Sequence, residues 1–339
     1  MKTHAVLLTL ALAFISTAVA LVRGQVPAPP PWAYGFVAAG TEPASPPCAT
    51  DAKPLDCARI GAPRPKDVTH TLPDADRTFA EYAIHFDYGP SDWYPGDHPP
   101  MPEIVARGRE RDKLRACSLC HYPNGQGKPE NAPVAGLPAQ YILQQLQAFR
   151  NGTRRSADPR KANTNEMIQI ARHMTDAEMN AVAEYFSSIT WRPWVKVVET
   201  DTVPKAKPGM NGLFLPQPGS ETEPLGRRIL EVPENPDLTE RARAPRSGMV
   251  AYVPIGSVTR GEEIVTTGGG KTVQCAICHG PDLQGLGPVP PIADRQASYL
   301  ARQLYDMQAG TRESALMQPV VATLTEDDMI AIVAYLASK

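Results

Sequence analysis

Apolar positions recur in two stretches of the chain with the period of a helix. Met179, Val182, Ala183 and Phe186 fall at i, i+3, i+4 and i+7, and so do Met329, Ile332, Val333 and Leu336. That spacing lays one apolar stripe along a helix. Thr175 with Glu178, and Thr325 with Asp328, stand at capping-box spacing at the start of each, aspartate being the weaker partner there. Tyr141 to Arg154 (YILQQLQAFRNGTR) and Tyr299 to Arg312 (YLARQLYDMQAGTR) read as two further helices. No strand pattern recurs, so the expected body is all-α.

The paired segments are copies of one another. The tyrosine-led pair shares six of fourteen positions at an offset of 158, and the threonine-led pair shares five of fourteen at an offset of 150. Two blocks in one order with a single indel indicate an internal duplication. Proline marks what lies outside the blocks. The chain has 36 prolines in 339 residues, about twice the usual usage of roughly 5%. Sixteen lie in 26–102 and nine in 193–248, which predicts an irregular extension and an irregular connector, with Pro27 to Tyr34 as extended polyproline. The expected division is a targeting segment at 1–24, a Pro-rich extension at 25–102, a first domain at 103–192, a linker at 193–248 and a second domain at 249–339.

Ala5 to Val22 is 18 residues without charge after Lys2, and Ala18-Val19-Ala20 offers a small-residue cleavage site. This reads as a secretory signal, with an uncleaved membrane anchor as the rival. Either places the rest of the chain in an exported, periplasmic compartment. Membrane association is then expected only through that segment or a partner. A formal net charge of −2 recommends no nucleic-acid partner.

The chemistry lies in the cysteines. Cys117-Ser118-Leu119-Cys120-His121 and Cys275-Ala276-Ile277-Cys278-His279 are two C-x-x-C-H motifs, again 158 apart. Two thiols three positions apart on a helical turn can add to the two vinyl groups of a haem, and the adjacent histidine supplies the proximal nitrogen. A zinc ribbon would set its cysteine pairs roughly 15–20 residues apart, and a thioredoxin-like pair would lie in a βαβ pattern. Two covalently attached haem c groups are therefore expected, with His121 and His279 on the irons. Met167 and Met317 each stand eight residues before an equivalent capped helix. That matched placement makes them the candidate second ligands. His173 and Met174 compete in the first domain, but Thr323 and Leu324 occupy their places in the second. Met179 and Met329 also match, but they lie on the buried stripe and read as core.

With CSLCHYPNGQG at Cys117 to Gly127, CAICHGPDLQG at Cys275 to Gly285, the Y-x3-QL-x5-GTR stretches and the two T-[DE]-x-[DE]-M helices, the sequence resembles class I c-type cytochromes of the tandem dihaem cytochrome c4 type. The resemblance implies two tandem cytochrome c domains. It also gives Pro133 and Pro291 a role, their carbonyls accepting from the proximal imidazoles. Ser257 to Gly269, with Gly261, resembles the family's first helix, and Ile104 to Gly108 stands as its equivalent in the first domain.

Other residues get plainer readings. Cys48 and Cys57 are expected to form a disulfide in an oxidising compartment. His70, His85 and His98 read as surface or structural. Trp32, Trp93, Trp191 and Trp194 are expected to pack irregular chain onto the helical body, with an aromatic docking patch as the sharper alternative. The charges from Arg107 to Arg115 read as a solvated helix face. Histidine and methionine together close both axial positions and suit single-electron transfer between redox proteins of a respiratory chain, from a dehydrogenase donor to an oxidase or other acceptor. Two alternatives stand beside this. One is a dihaem enzyme, peroxidase-like or thiosulfate-oxidising, with one open iron. The other is the cytochrome subunit of a larger dehydrogenase complex, held by the extension.

Overall fold

A computed structural model describes residues 28–37, 63–209 and 211–339. The proposed targeting segment and the Cys48–Cys57 pair lie outside the described residues.

The first helical body runs through α2 (Glu103–Ala106), α3 (Cys117–His121), α4 (Ala139–Asn151), α5 (Ala162–His173) and α6 (Asp176–Ser187), after a single-turn α1 (Glu81–Ile84) in the extension. The second runs through α7 (Ser257–Thr267), α8 (Ala276–His279), α9 (Ala297–Gln308), α10 (Met317–Val321) and α11 (Glu326–Ala337). Local chemistry sets these limits. Pro138 precedes α4, and Gly152, left-handed at φ 77°, ends it. The buried face of α4 is Ile142, Leu146 and Phe149, which meets Met179, Val182 and Phe186 of α6 in one core. Both capping boxes form, with Thr175 and Glu178 closing α6 and Thr325 and Asp328 closing α11. The Met329, Ile332, Val333 and Leu336 stripe is buried in the second core.

Asp328 does more than cap. It is buried, and Arg260 and Lys271 both bond its carboxylate. Burial works to raise its pKa, but the bonds from Lys271, Thr325 and Arg260 outweigh it and hold the carboxyl well below the usual aspartate range. The unfolded chain binds that proton more readily than the folded one, so this contribution is full above about pH 4 and is lost as pH falls toward the folded pKa. Asp328→Asn is expected to lower stability at pH 7 by about 2–4 kcal/mol, since it leaves two cations and the cap underserved. Denaturant titration at pH 7 and pH 3 checks this: the gap between variant and parent should shrink at the lower pH.

The all-α expectation holds for the two helical bodies and fails between them. Five short strands, β3 (Val195–Glu199), β4 (Thr202–Pro204), β5 (Ala206–Pro208), β6 (Phe214–Pro216) and β7 (Thr222–Pro224), follow one another in the connector; β8 (Leu230–Pro233) and β9 (Met249–Val253) complete it. β9 is the centre of a three-stranded sheet, parallel to β3 and antiparallel to β8, with Val195 opposite Met249 and Leu230 opposite Tyr252. β4 pairs with β7 and β5 with β6. Five of these strands end on proline, which suits a strand limit and an edge but hides the strand in a composition reading. Another hairpin, β1 (Thr69–Thr71) with β2 (Thr78–Ala80), lies in the extension.

The polyproline expectation is also corrected. Pro31–Tyr34 forms a 3-10 turn whose Trp32, Ala33 and Tyr34 are buried. Tyr34 donates its hydroxyl to Asp306 at 2.8 Å, and Trp32 donates to Glu326 at 3.2 Å. The proline ring starts the turn and the aromatic side chains anchor it on the second domain. Trp32, Trp191 and Trp194 pack irregular chain against the helical bodies as expected, and Trp93 instead packs within the extension and connector. Trp93 is buried and donates to the Ala242 carbonyl at 2.7 Å, tying extension to connector. Trp191 lies under the Arg295 guanidinium at 3.9 Å, and Trp194 meets Tyr122 edge-on. The Arg107–Arg115 stretch is not a helix face. The helix stops at Ala106, Arg109 is held by Asp112, Glu178 and the His173 carbonyl, and Arg115 is half-enclosed between Asp87 and Glu166. His70 bonds Glu81, His85 bonds the Arg241 carbonyl, and His98 bonds Asp92, all within extension and connector.

Candidate haem sites

Each C-x-x-C-H segment forms one helical turn, which brings its two cysteines and its histidine to one side of the chain. His121 Nδ1 lies 2.8 Å from the Ala132 carbonyl, and His279 Nδ1 lies 2.8 Å from the Pro290 carbonyl. A carbonyl only accepts, so Nδ1 carries the hydrogen and the lone pair stands on Nε2. Burial lowers the pKa of both imidazoles, which keeps them neutral and ready to ligate. The acceptors correct the expectation for Pro133 and Pro291, because the carbonyl used belongs one residue earlier in each copy. The prolines still matter. A residue before proline is driven to extended geometry, which helps fix the direction of the Ala132 and Pro290 carbonyls.

The first site opens into a cavity whose walls include Val134, Leu137, Ile142, Leu146, Phe149 and Ile170. Cys117, Cys120, His121 and Met167 line it as well. Met174 lines the same cavity, so the first domain presents two sulfurs there. His173 is turned to its own helix, with Nδ1 on the Gln169 carbonyl at 2.9 Å. Burial pushes the Cys117 thiol up to about 12 and Cys120 up to about 11, so both are neutral before attachment. Burial also pushes the Glu166 carboxyl in the cavity wall up to about 7, with Arg115 opposing. In the second domain His279 is buried, Cys275 is half-buried, Cys278 is exposed, and Met317 opens α10 with its amide on Ser314.

One wall of the first cavity comes from the other domain: Tyr299, Arg302, Gln303 and Asp306 of α9. The two domains meet there about a pseudo-twofold axis. Arg154 donates to Gln145 and Gln303, both at 2.9 Å; Arg312 donates to Gln303 at 2.8 Å and to Gln145 at 3.0 Å. Each carboxamide oxygen thus accepts from both arginines. Arg312 also reaches Tyr141 at 2.6 Å, and Arg154 reaches Tyr299 at 3.4 Å. The Arg155 amide donates to Thr311 and the Glu313 amide to Thr153. Apart from Arg155 and Glu313, which take part through their amides, these are residues shared by the two Y-x3-QL-x5-GTR copies. Sequence reasoning used them as signs of resemblance and missed that they join the domains. The signal was available, since polar identity between repeats has no reason in a helix's own core.

The donor set fits haem c. Two thiols and a neutral imidazole stand at one edge of an apolar cavity, and the buried Arg154 guanidinium, whose side-chain bonds go to neutral groups, lines the same space as a cation. A family model described as Cytochrome c matches residues 105–190, and one described as Cytochrome C oxidase, cbb3-type, subunit III, matches residues 256–336. Cytochrome c-554(548) of Halomonas halodenitrificans is 33% identical over 88 residues, which are 25% of this chain and 98% of that protein. The chain belongs to the dihaem class I c-type cytochromes.

Cytochrome c4 of Pseudomonas aeruginosa aligns across both domains of the cytochrome, 23% identical over 231 residues, 66% of this chain and 84% of the relative. A protein of Stutzerimonas stutzeri named thiosulfate dehydrogenase electron acceptor is 41% identical over 87 residues, 25% of this chain and 38% of its own length. The chain thus spans well under two thirds of that relative. The cytochrome carries two covalent haem c groups, at Cys117/Cys120 and Cys275/Cys278. Haem c supplies a one-electron Fe(III)/Fe(II) couple. The protein's part is to hold the imidazoles by Nδ1, to keep water from the first site with its aliphatic wall, and to place the two sites on either side of the arginine–glutamine seam.

Proposed function

We propose that the cytochrome carries single electrons between redox proteins of an exported respiratory chain, with His121 and Met167 on the first iron and His279 and Met317 on the second. The observation that carries this reading is the repetition of the whole set. Histidine, tied carbonyl and methionine stand at matching positions in both copies. Two closed irons suit electron passage and leave no vacant position for a small substrate. A dehydrogenase is the proposed donor, in keeping with the relative named as a thiosulfate dehydrogenase electron acceptor, and an oxidase or similar protein the acceptor. Export through the segment before residue 25 and domain limits at 103–192 and 249–339 belong to the same proposal.

Met167→Ala and Met317→Ala are each expected to remove one methionine–iron charge-transfer band and to lower that haem's potential. The drop should be on the order of 0.1 V, within the roughly 0.8 V that axial ligation spans. Met174→Leu should leave both bands in place. Spectra and redox titration of the purified variants check this, and a band lost with Met174 instead of Met167 would move the assignment. Robust peroxide turnover by the parent protein would favour an enzyme with an open iron.

A further inference from the structure

The duplication allows one surface to be compared with itself. In the second domain Val273, Ile277, Leu286 and Leu316 are 50%, 65%, 59% and 79% exposed. Val273 and Ile277 flank Cys275, Leu286 stands just after the Gly285 whose amide bonds the His279 carbonyl, and Leu316 adjoins Met317. Thr272 bonds the Val320 carbonyl at 2.8 Å, which brings the Val273 strand of chain beside α10. All four therefore border the haem attachment segment. Four of the nine large apolar side chains exposed among the described residues gather here.

The same offsets lead to Arg115, Leu119, Lys128 and Glu166 in the first domain. Each is covered or paired. Arg115 bonds Asp87 of the extension at 2.9 Å, and Glu166 at 3.3 Å. Leu119 is buried and its carbonyl is taken by Arg243 of the connector. Lys128 is buried on Glu240 of the connector and on Glu130 at 3.0 Å. Arg243 also covers the Tyr122 ring at 5.1 Å. Extension and connector are locked together above this face by Trp93 on Ala242 and Arg246 on Asp97. Both domains need the same cavity beside the same motif, so the cavity does not account for the contrast. The cover does.

We infer that the cytochrome has one docking face, not two: the apolar face of Val273, Ile277, Leu286 and Leu316 receives a one-electron redox protein that presents its own cofactor edge beneath an apolar patch, while the matching face of the first domain is covered by the chain's own extension and connector. In the first domain the matching positions are covered by polypeptide, there through ion pairs and a carbonyl contact, whereas the second-domain face is apolar and calls for an apolar protein surface. Exposed apolar groups clustered about a buried redox group gain most from a protein surface, and such encounters are small and short-lived. None of the four side chains is charged, so the contact should depend little on salt. The inference rests on the electron-carrier reading.

The test is a titration of the isotope-labelled, fully haem-loaded protein with a blue-copper electron-transfer protein, read by amide chemical shifts. Shifts are expected around 273–289 and 314–318, saturating at one partner per chain, with none around 115–128. Ile277→Lys with Leu316→Lys should weaken binding by about tenfold or more, with unchanged haem spectra. Both side chains are exposed, so folding is not at stake. A second partner bound near 115–128, undiminished binding by the double variant, or no binding by the parent would each overturn the single-face inference. The methionine bands and reversible potentials, measured on the same samples, report on the carrier reading separately.

Discussion

Gly261→Val is expected to stop the second domain from forming. A Cβ on residue 261 would stand 1.9 Å from the Ala331 carbonyl oxygen and 2.8 Å from the Tyr335 Cβ. Those atoms belong to the middle of α11, whose Ala331, Val333 and Ala334 are buried, so neither helix can give way alone. Separating α7 from α11 uncovers Ile264, Val265, Met329 and Ile332. The loss should exceed about 4 kcal/mol, the range reached by severe backbone and core clashes. Circular dichroism melts and haem retention at Cys275 and Cys278 measure it. A variant that melts with the parent and keeps both haems would show that the two helices do not cross this closely.

Removing the first attachment pair is expected to have the next largest effect. Cys117→Ser with Cys120→Ser takes away both covalent links at a site that has a large apolar wall, from Val134 to Ile170, facing polar side chains such as Arg154 and Gln303. The mass of the protein should fall by one haem relative to the parent, and acid–acetone extraction should release whatever haem His121 still holds. The domain should also soften. Leu137, Ile142, Leu146 and Phe149 line the cavity while belonging to the first core, and an unfilled apolar space forfeits their contacts. A cofactor that binds only the folded chain stabilises it by its binding free energy, so losing the group lowers the melting point as well. A variant with the mass of two haems and an unchanged melt would contradict the attachment chemistry. The equivalent change at Cys275 and Cys278 should cost one haem too, at a site already more open to solvent.

Legibility followed the range of the interactions involved. The stripe in α6, both capping boxes and the two attachment turns depend on steps of no more than four positions from one residue to the next, and the sequence pattern carried them to the right places. The imidazole acceptors were nearly legible: the prolines were seen, yet the working carbonyl is that of Ala132 or Pro290, because proline acts on the residue before it. The β-sheet was harder. Met249, Ala251 and Val253 do alternate with more open neighbours, but the alternation lasts five residues and the partner strand begins at Val195. Strand pairing at that separation leaves little trace in a local pattern. Within the charged run Arg107, Glu110, Arg111 and Lys113 are exposed as expected, but Arg115 is enclosed by Asp87 and Glu166, which are distant in sequence.

The sequence by itself therefore determined the duplication, the covalent chemistry of each site and the helices that frame it, because thioether formation, capping and apolar periodicity are local. Only the tertiary structure decided that the extension and the connector close over one copy and leave the other open, and that Arg154 and Arg312 share two glutamines across the seam. Burial and long-range hydrogen bonds made those decisions. They join residues more than a hundred positions apart, and two nearly identical motifs thereby come to lie in unlike surroundings.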